Sequence, residues 1–180
     1  MTILCALHKP GVGTWIGSDR RVSAGSTIMS DTTLKWAMVD GGAVAITGSN
    51  ALRTAMFDRA SEVSADWMAS QFRDWLVDLR TSLGIRPKVE EGSETWFHGN
   101  AMLVSATRIM QLDGAGGAWA HEGNVLFTAG SGCDYASGAA FALRAYGITD
   151  PMTIVKVAVC AAIQHDAGCG GEPFLHLLAE

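Results

Sequence analysis

Strand-like segments come in three groups along this chain, separated by two pairs of helices, and that order excludes most architectures. Residues 2–8 read as a strand, apolar from Ile3 to Leu7, Lys9-Pro10-Gly11 marks a turn, and residues 12–18 return as a second strand. A polar stretch, residues 19–33, follows. Residues 35–39 and 43–47 read as two more strands across the tight turn Asp40-Gly41-Gly42. Ser49 or Asn50 then caps a helix over residues 51–60. A second helix is expected over residues 66–83, where Met68, Phe72, Trp75, Leu76, Leu79 and Leu83 recur at helical spacing and Gly84 stops it. Residues 84–99 read as an exposed irregular connection. Residues 101–106, 109–112 and 124–128 form the next strands, with a glycine-rich loop at 114–117. Two helices follow, residues 134–146 and a second that starts at Thr149-Asp150-Pro151 and runs to 165, before a last strand at 174–178. Strands and helices do not alternate singly, so a parallel βαβ sheet is excluded. The expected class is α+β: two mainly antiparallel sheets stacked between helix layers, in one domain over residues 1–180.

Composition narrows the function classes. The chain is 48% hydrophobic and only 17% charged, which suits a well-buried fold with some surface covered by further copies of itself. A net charge of −5 argues against nucleic acid as a partner. No apolar run is long enough to span a membrane, and the N-terminus lacks a basic-then-apolar signal pattern, so a cytoplasmic protein is expected. The cysteines, Cys5, Cys133, Cys160 and Cys169, are then expected as reduced thiols. They contain no Cys-x-x-Cys pair; no metal and no cofactor is expected.

Thr2 directly follows Met1, and a residue this small normally permits removal of the methionine. That would leave a hydroxyl and a free α-amine on one residue, a nucleophile with its own base. The segments around it have a familiar order. Gly17-Ser18-Asp19-Arg20-Arg21 ends the second strand. Gly25-Ser26-Thr27-Ile28-Met29 follows, then Lys35, then Ala45-Ile46-Thr47-Gly48. Gly130-Ser131-Gly132 precedes Tyr135-Ala136, and Gln164-His165-Asp166-Ala167-Gly168-Cys169-Gly170-Gly171 closes the set. In this order and spacing the whole chain resembles a proteasome-type β-subunit, the N-terminal-nucleophile family that includes HslV. The resemblance implies a four-layer αββα sandwich, the Ntn-hydrolase fold.

It also implies a threonine-type endopeptidase. Thr2 would attack a peptide carbonyl, form an acyl-enzyme ester and be released by water. Lys35 would lower the proton affinity of the hydroxyl and the amine, and Asp19 would keep Lys35 charged and oriented. Ser131 and Asp166 would hold the α-amine neutral and aimed at the hydroxyl. A backbone N–H near Ala45 would face the oxyanion, and the backbone at Ser23 would pair with an extended substrate. Arg21 could pair with acidic groups near the site. Cys169 stands where proteasomes usually carry serine, and a thiol is the weaker donor.

Exposure of Thr2 would depend on removing Met1 alone, since no propeptide precedes it. The resemblance further implies self-association into stacked rings acting on peptide or unfolded protein. No ATP-binding motif is present, so any energy-dependent step needs a separate ATP-dependent unfoldase. Three other readings use the same residues differently: a catalytically silent structural subunit, an N-terminal-nucleophile amidase for a small molecule, and a cysteine enzyme built on Cys5 or Cys133.

Overall fold

The computed structural model describes residues 2–24, 26–86, 88–90, 93–95 and 99–180. In chain order the strands and helices are β1 (Leu4–Lys9), β2 (Gly13–Ser18), β3 (Val22–Ala24), β4 (Thr27–Ser30), β5 (Trp36–Val39), β6 (Gly42–Ile46), α1 (Asn50–Asp58), α2 (Ala69–Ser82), β7 (Lys88–Glu90), β8 (Ser93–Thr95), β9 (Asn100–Ser105), β10 (Ile109–Asp113), β11 (Ala118–His121), β12 (Leu126–Ala129), α3 (Cys133–Ala145), α4 (Pro151–His165) and β13 (Phe174–Leu178). One sheet runs β12-β1-β2-β13 and the other β11-β10-β9-β6-β5, with every pairing antiparallel.

Side-chain alternation in the first strand explains the layering. Ile3, Cys5 and Leu7 point to one face and pack with Ala136 and Ala140 of α3 and Ile154, Val155, Ala158 and Val159 of α4. Leu4 and Ala6 point the other way and meet Trp36, Ala43, Ala45, Met102 and Val104 of the facing sheet. That sheet's opposite face, through Val44, Ile46 and Leu103, packs on Leu52 and Met56 of α1 and Phe72, Leu76 and Leu79 of α2. The result is helices, sheet, sheet, helices: the expected α+β sandwich. A strand covered on both faces is apolar along its covered length, which is why Ile3 to Leu7 shows no polar alternation. Close approach of α4 to the sheet depends on Gly17, where a Cβ would come within 2.7 Å of Val155.

Several boundaries depart from the sequence reading. The stretch at 19–33 contains the hairpin β3–β4, whose mostly exposed residues carry no buried face to betray them. Strand β11 is an exposed edge and was hidden for the same reason. Residues 84–99 include the short pair β7–β8. Helix α2 starts at Ala69 rather than residue 66, because the chain first bends at Ser64, whose hydroxyl accepts from Asp66 N–H at 3.3 Å, and because Gln71 caps Met68 N–H at 2.9 Å. Ser49, not Asn50, caps α1 by accepting from Leu52 N–H at 3.3 Å.

Candidate active site

The β1–β2 ladder brings the N-terminal residues against the end of β2. Leu4 pairs with Ser18, and Asp19 N–H donates to the Ile3 carbonyl at 3.3 Å. Asp19 is fully buried and its carboxylate is saturated. Oδ1 accepts from the Thr2 hydroxyl and from Ile3 N–H, each at 3.0 Å. Oδ2 accepts from Arg21 N–H at 3.0 Å and Gly170 N–H at 3.2 Å. Four donors fill the acceptor sites of the carboxylate, so Asp19 fixes the Thr2 hydroxyl and joins three chain segments around it.

The turn between β12 and α3 holds the other side of Thr2. Thr2 N–H donates to Ser131 Oγ at 3.2 Å, and the Thr2 carbonyl accepts from Gly132 N–H at 3.3 Å. Gly130 makes this contact feasible: its φ is +103°, and a Cβ there would lie 2.2 Å from the Thr2 carbonyl oxygen. Asp166 follows the last residue of α4 and accepts from Gly168 N–H at 2.9 Å and from Cys169 Sγ at 3.3 Å. Burial alone would raise the Asp166 pKa, but hydrogen bonds from Ser131, Gly168 and Cys169 outweigh it and hold the carboxyl below its ordinary value. The hydrogen-bonded line therefore runs from Thr2 nitrogen through Ser131 to Asp166 and Cys169.

Lys35, 1% exposed, precedes β5 and donates its ammonium to the Arg21 carbonyl. Burial lowers its pKa. Attraction to Asp19 offsets part of that, and the nearby Arg53 cation lowers it further. Among the described residues Lys35 makes no direct ion pair with Asp19; Asp19 acts on it through its field, while the Arg21 carbonyl orients it.

Arg21 itself pairs with Asp31 through Nε at 2.8 Å and a terminal nitrogen at 3.2 Å, and donates to the Ala167 carbonyl at 3.3 Å. Its guanidinium lies against Gly170, where a Cβ would fall 2.3 Å from Cζ. Arg21 thus clamps the loop that follows α4. Ser23 sits half-buried at a bulge in β3, opposite Ile28.

An open recess of about 410 Å³ lies beside Thr2, walled by Thr47, Gly48, Asn100, Ser131 and Cys133 among others. Ala45 does not reach it. That residue is fully buried between the sheets, opposite Trp36 and Met102 in the ladder, so its amide is committed to pairing. The recess wall is set two to three residues later. Thr47 is locked to Asn100 by its N–H at 2.8 Å and by its hydroxyl, which accepts from Asn100 N–H at 2.8 Å. Gly48, at φ +94°, then turns away from the sheet, and its N–H donates to no described group.

The cysteines do not build a second chemistry. Burial pushes the Cys5 thiol up to about 12, and burial, with Asp134 beside it, raises Cys133 as well. Both stay protonated, against what a thiolate nucleophile needs. Among the described residues no three His, Cys, Asp or Glu side chains converge to hold a metal. No described helix is long and apolar enough to cross a membrane.

The layers and strand order are those of the Ntn-hydrolase fold in its proteasome and HslV form. Solved structures with this fold align over nearly the whole chain. The structure of Thiobacillus denitrificans BPH in complex with epoxomicin matches with a TM-score of 0.75 at 19% identity, covering 99% of this chain and 100% of that one. A eukaryotic HslV from Trypanosoma brucei matches at 0.71 and 18%, covering 99% of each chain. A second structure of the Thiobacillus denitrificans protein matches at 0.74 and 18%, covering 98% of each. No protein-family model and no curated protein matches the sequence.

Proposed function

We propose that the chain is an N-terminal threonine peptidase that hydrolyses peptide bonds through an acyl-enzyme on Thr2. The observation that carries this is the double grip on one residue: the Thr2 hydroxyl on Asp19 at 3.0 Å and its nitrogen on Ser131 at 3.2 Å, beside an open recess.

Once the Met1–Thr2 bond is cut, the Thr2 nitrogen is an amine with an ordinary pKa of about 7.7–8.0. The Lys35 ammonium favours its neutral form. The neutral amine takes the hydroxyl proton, directly or through Ser131, as the hydroxyl oxygen attacks the peptide carbonyl. The developing oxyanion is received by the Gly48 N–H, in place of the Ala45 amide that the sequence suggested. Collapse of the tetrahedral adduct expels the product amine, which takes the proton. Water, deprotonated by the same amine, then cleaves the ester and restores Thr2. Asp166 keeps Ser131 oriented throughout.

The likeness to HslV-type structures supports self-association into rings, with peptide or unfolded protein as substrate, a separate ATP-dependent unfoldase as feeding partner and the cytoplasm as location. Intact mass with and without a threonine-directed epoxyketone tests the reading. A mass lacking methionine and one inhibitor adduct on Thr2 support it. Retained Met1 with no adduct overturns it and leaves a structural subunit of the same fold. Size in solution separates the ring peptidase from a small-molecule amidase, which would run as a monomer.

A further inference from the structure

Asp31 lies in the connection between β4 and β5 and has no role in the chemistry above. Its two carboxylate oxygens accept from Arg21, one from Nε at 2.8 Å and the other from a terminal nitrogen at 3.2 Å. Two parallel bonds fix the plane of a guanidinium as well as its position. The pair is open to water, with 41% of the Asp31 side chain and 20% of the Arg21 side chain exposed. An ion pair so exposed adds little to stability. What it fixes is where the guanidinium sits.

It sits on the loop that follows α4. The other terminal nitrogen donates to the Ala167 carbonyl at 3.3 Å, and Cζ lies where a Cβ on Gly170 would come within 2.3 Å. Asp31 rests on the next residue: its carbonyl oxygen would be 2.3 Å from a Cβ on Gly171, whose φ is +74°. Two consecutive glycines thus clear a face for the Arg21–Asp31 pair. The same loop carries Asp166 and Cys169, and its Gly170 N–H is one of the four donors on Asp19, at 3.2 Å. Arg21 closes the circuit through its main chain, with its N–H on Asp19 at 3.0 Å and its carbonyl on the Lys35 ammonium. A displacement of Arg21 therefore reaches Asp19, Lys35 and the Asp166 loop at once.

We propose that Asp31 is a positioning residue for the Thr2 reaction: through Arg21 it holds the loop after α4 against the site and so keeps Asp166 aimed at Ser131. This rests on the peptidase reading. Asp31 does not line the recess beside Thr2, so it acts on turnover rather than on substrate binding. With a neutral side chain in its place the guanidinium keeps only the Ala167 carbonyl, and nothing sets its plane. The loop then loses the wedge on Gly170, and the hydrogen bond from Ser131 to Asp166 loses its fixed end.

The test uses the full chain after loss of Met1 is verified by mass. It measures peptide turnover and epoxyketone labelling of Thr2, both well below the thermal midpoint. Asp31→Asn should lower kcat and the labelling rate roughly tenfold to a hundredfold, the scale of a small misplacement at a reacting group, with KM and thermal midpoint nearly unchanged. Asp31→Glu keeps the carboxylate and should recover much of the loss. Arg21→Gln should slow labelling by a similar factor, and adding Asp31→Asn to it should cost nothing further, because residues acting through one contact do not add. Wild-type kcat in Asp31→Asn overturns the proposal. Equal damage from Asn and Glu does the same, as does an undiminished effect of Asp31→Asn in the Arg21→Gln background, or a rate loss that vanishes once corrected for the unfolded fraction. A labelled wild type with unaffected Asp31 variants sinks this inference alone. A wild type that neither labels nor cleaves any peptide sinks the peptidase reading with it.

Discussion

The Thr2 hydroxyl and the Asp19 carboxylate meet at 3.0 Å, and the same oxygen also holds Ile3 N–H at 3.0 Å. One buried group thus orients the Thr2 hydroxyl and anchors the start of the first strand. The other oxygen ties in Arg21 and Gly170, so the second strand and the loop after α4 depend on the same carboxylate.

Asp19→Asn should therefore damage stability and chemistry together. The amide places an NH2 group against one of two donor pairs, and the backbone donors cannot turn away. Each buried donor left unpaired costs about 1–3 kcal/mol, so a loss of about 2–5 kcal/mol is expected in urea unfolding. Epoxyketone labelling of Thr2 should slow by at least about a hundredfold, the scale on which a misplaced nucleophile loses rate. An Asn variant with wild-type stability and labelling would show that the carboxylate is dispensable.

Lys35 poses the opposite balance. Its folded pKa lies below the ordinary 10.5 chiefly because of burial. Below that depressed pKa both folded and unfolded chains carry the proton, and the full burial cost is present. Between the depressed pKa and 10.5 the unfolded chain binds more protons, so Lys35's contribution makes stability rise with pH. Lys35→Met should be equal to or up to about 2 kcal/mol more stable than wild type at neutral pH, with the gap narrowing under alkaline conditions. Thr2 labelling should be lost. A methionine variant less stable at neutral pH, or one still labelled, would contradict this.

Gly130 should tolerate no side chain. At φ +103° alanine is strained by about 1–3 kcal/mol, and its Cβ would sit 2.2 Å from the Thr2 carbonyl oxygen. Gly130→Ala should lower the thermal midpoint and slow labelling, because relief requires moving Thr2 away from Ser131. Gly138 in α3 has open space around it, so Gly138→Ala is the control and should leave labelling unchanged.

Much of this was legible in the sequence, for physical reasons. The doubly buried first strand shows in its apolar run from Ile3 to Leu7, and Thr2, Asp19, Ser131 and Asp166 were singled out by the resemblance in motif order and spacing, not by local pattern alone. Ala45 was misleading because an apolar residue in a glycine-like context says nothing of ladder register; only the pairing with Trp36 and Met102 shows it is interior. Strand β11 and the hairpin β3–β4 lack a buried face, so no alternation marked them.

Cys169 offers a test of the line from Thr2 to Asp166. Its thiol is fully buried, and burial first, then Asp19 and Asp166, push its pKa upward, so it remains a protonated donor to Asp166 at 3.3 Å. That bond helps hold Asp166 below its ordinary pKa. Cys169→Ala removes it, so the Asp166 pKa should rise. The stability that ionised Asp166 contributes is present above the unfolded carboxyl pKa and disappears as pH falls through the folded one. The variant should accordingly lose part of its advantage over the unfolded chain in that acid window, and the acid edge of Thr2 labelling should move to higher pH. Cys169→Ser supplies a stronger donor in less volume and should keep or sharpen the wild-type profile. If alanine and serine variants share one unshifted pH profile, Asp166 does not act on Thr2 through this contact.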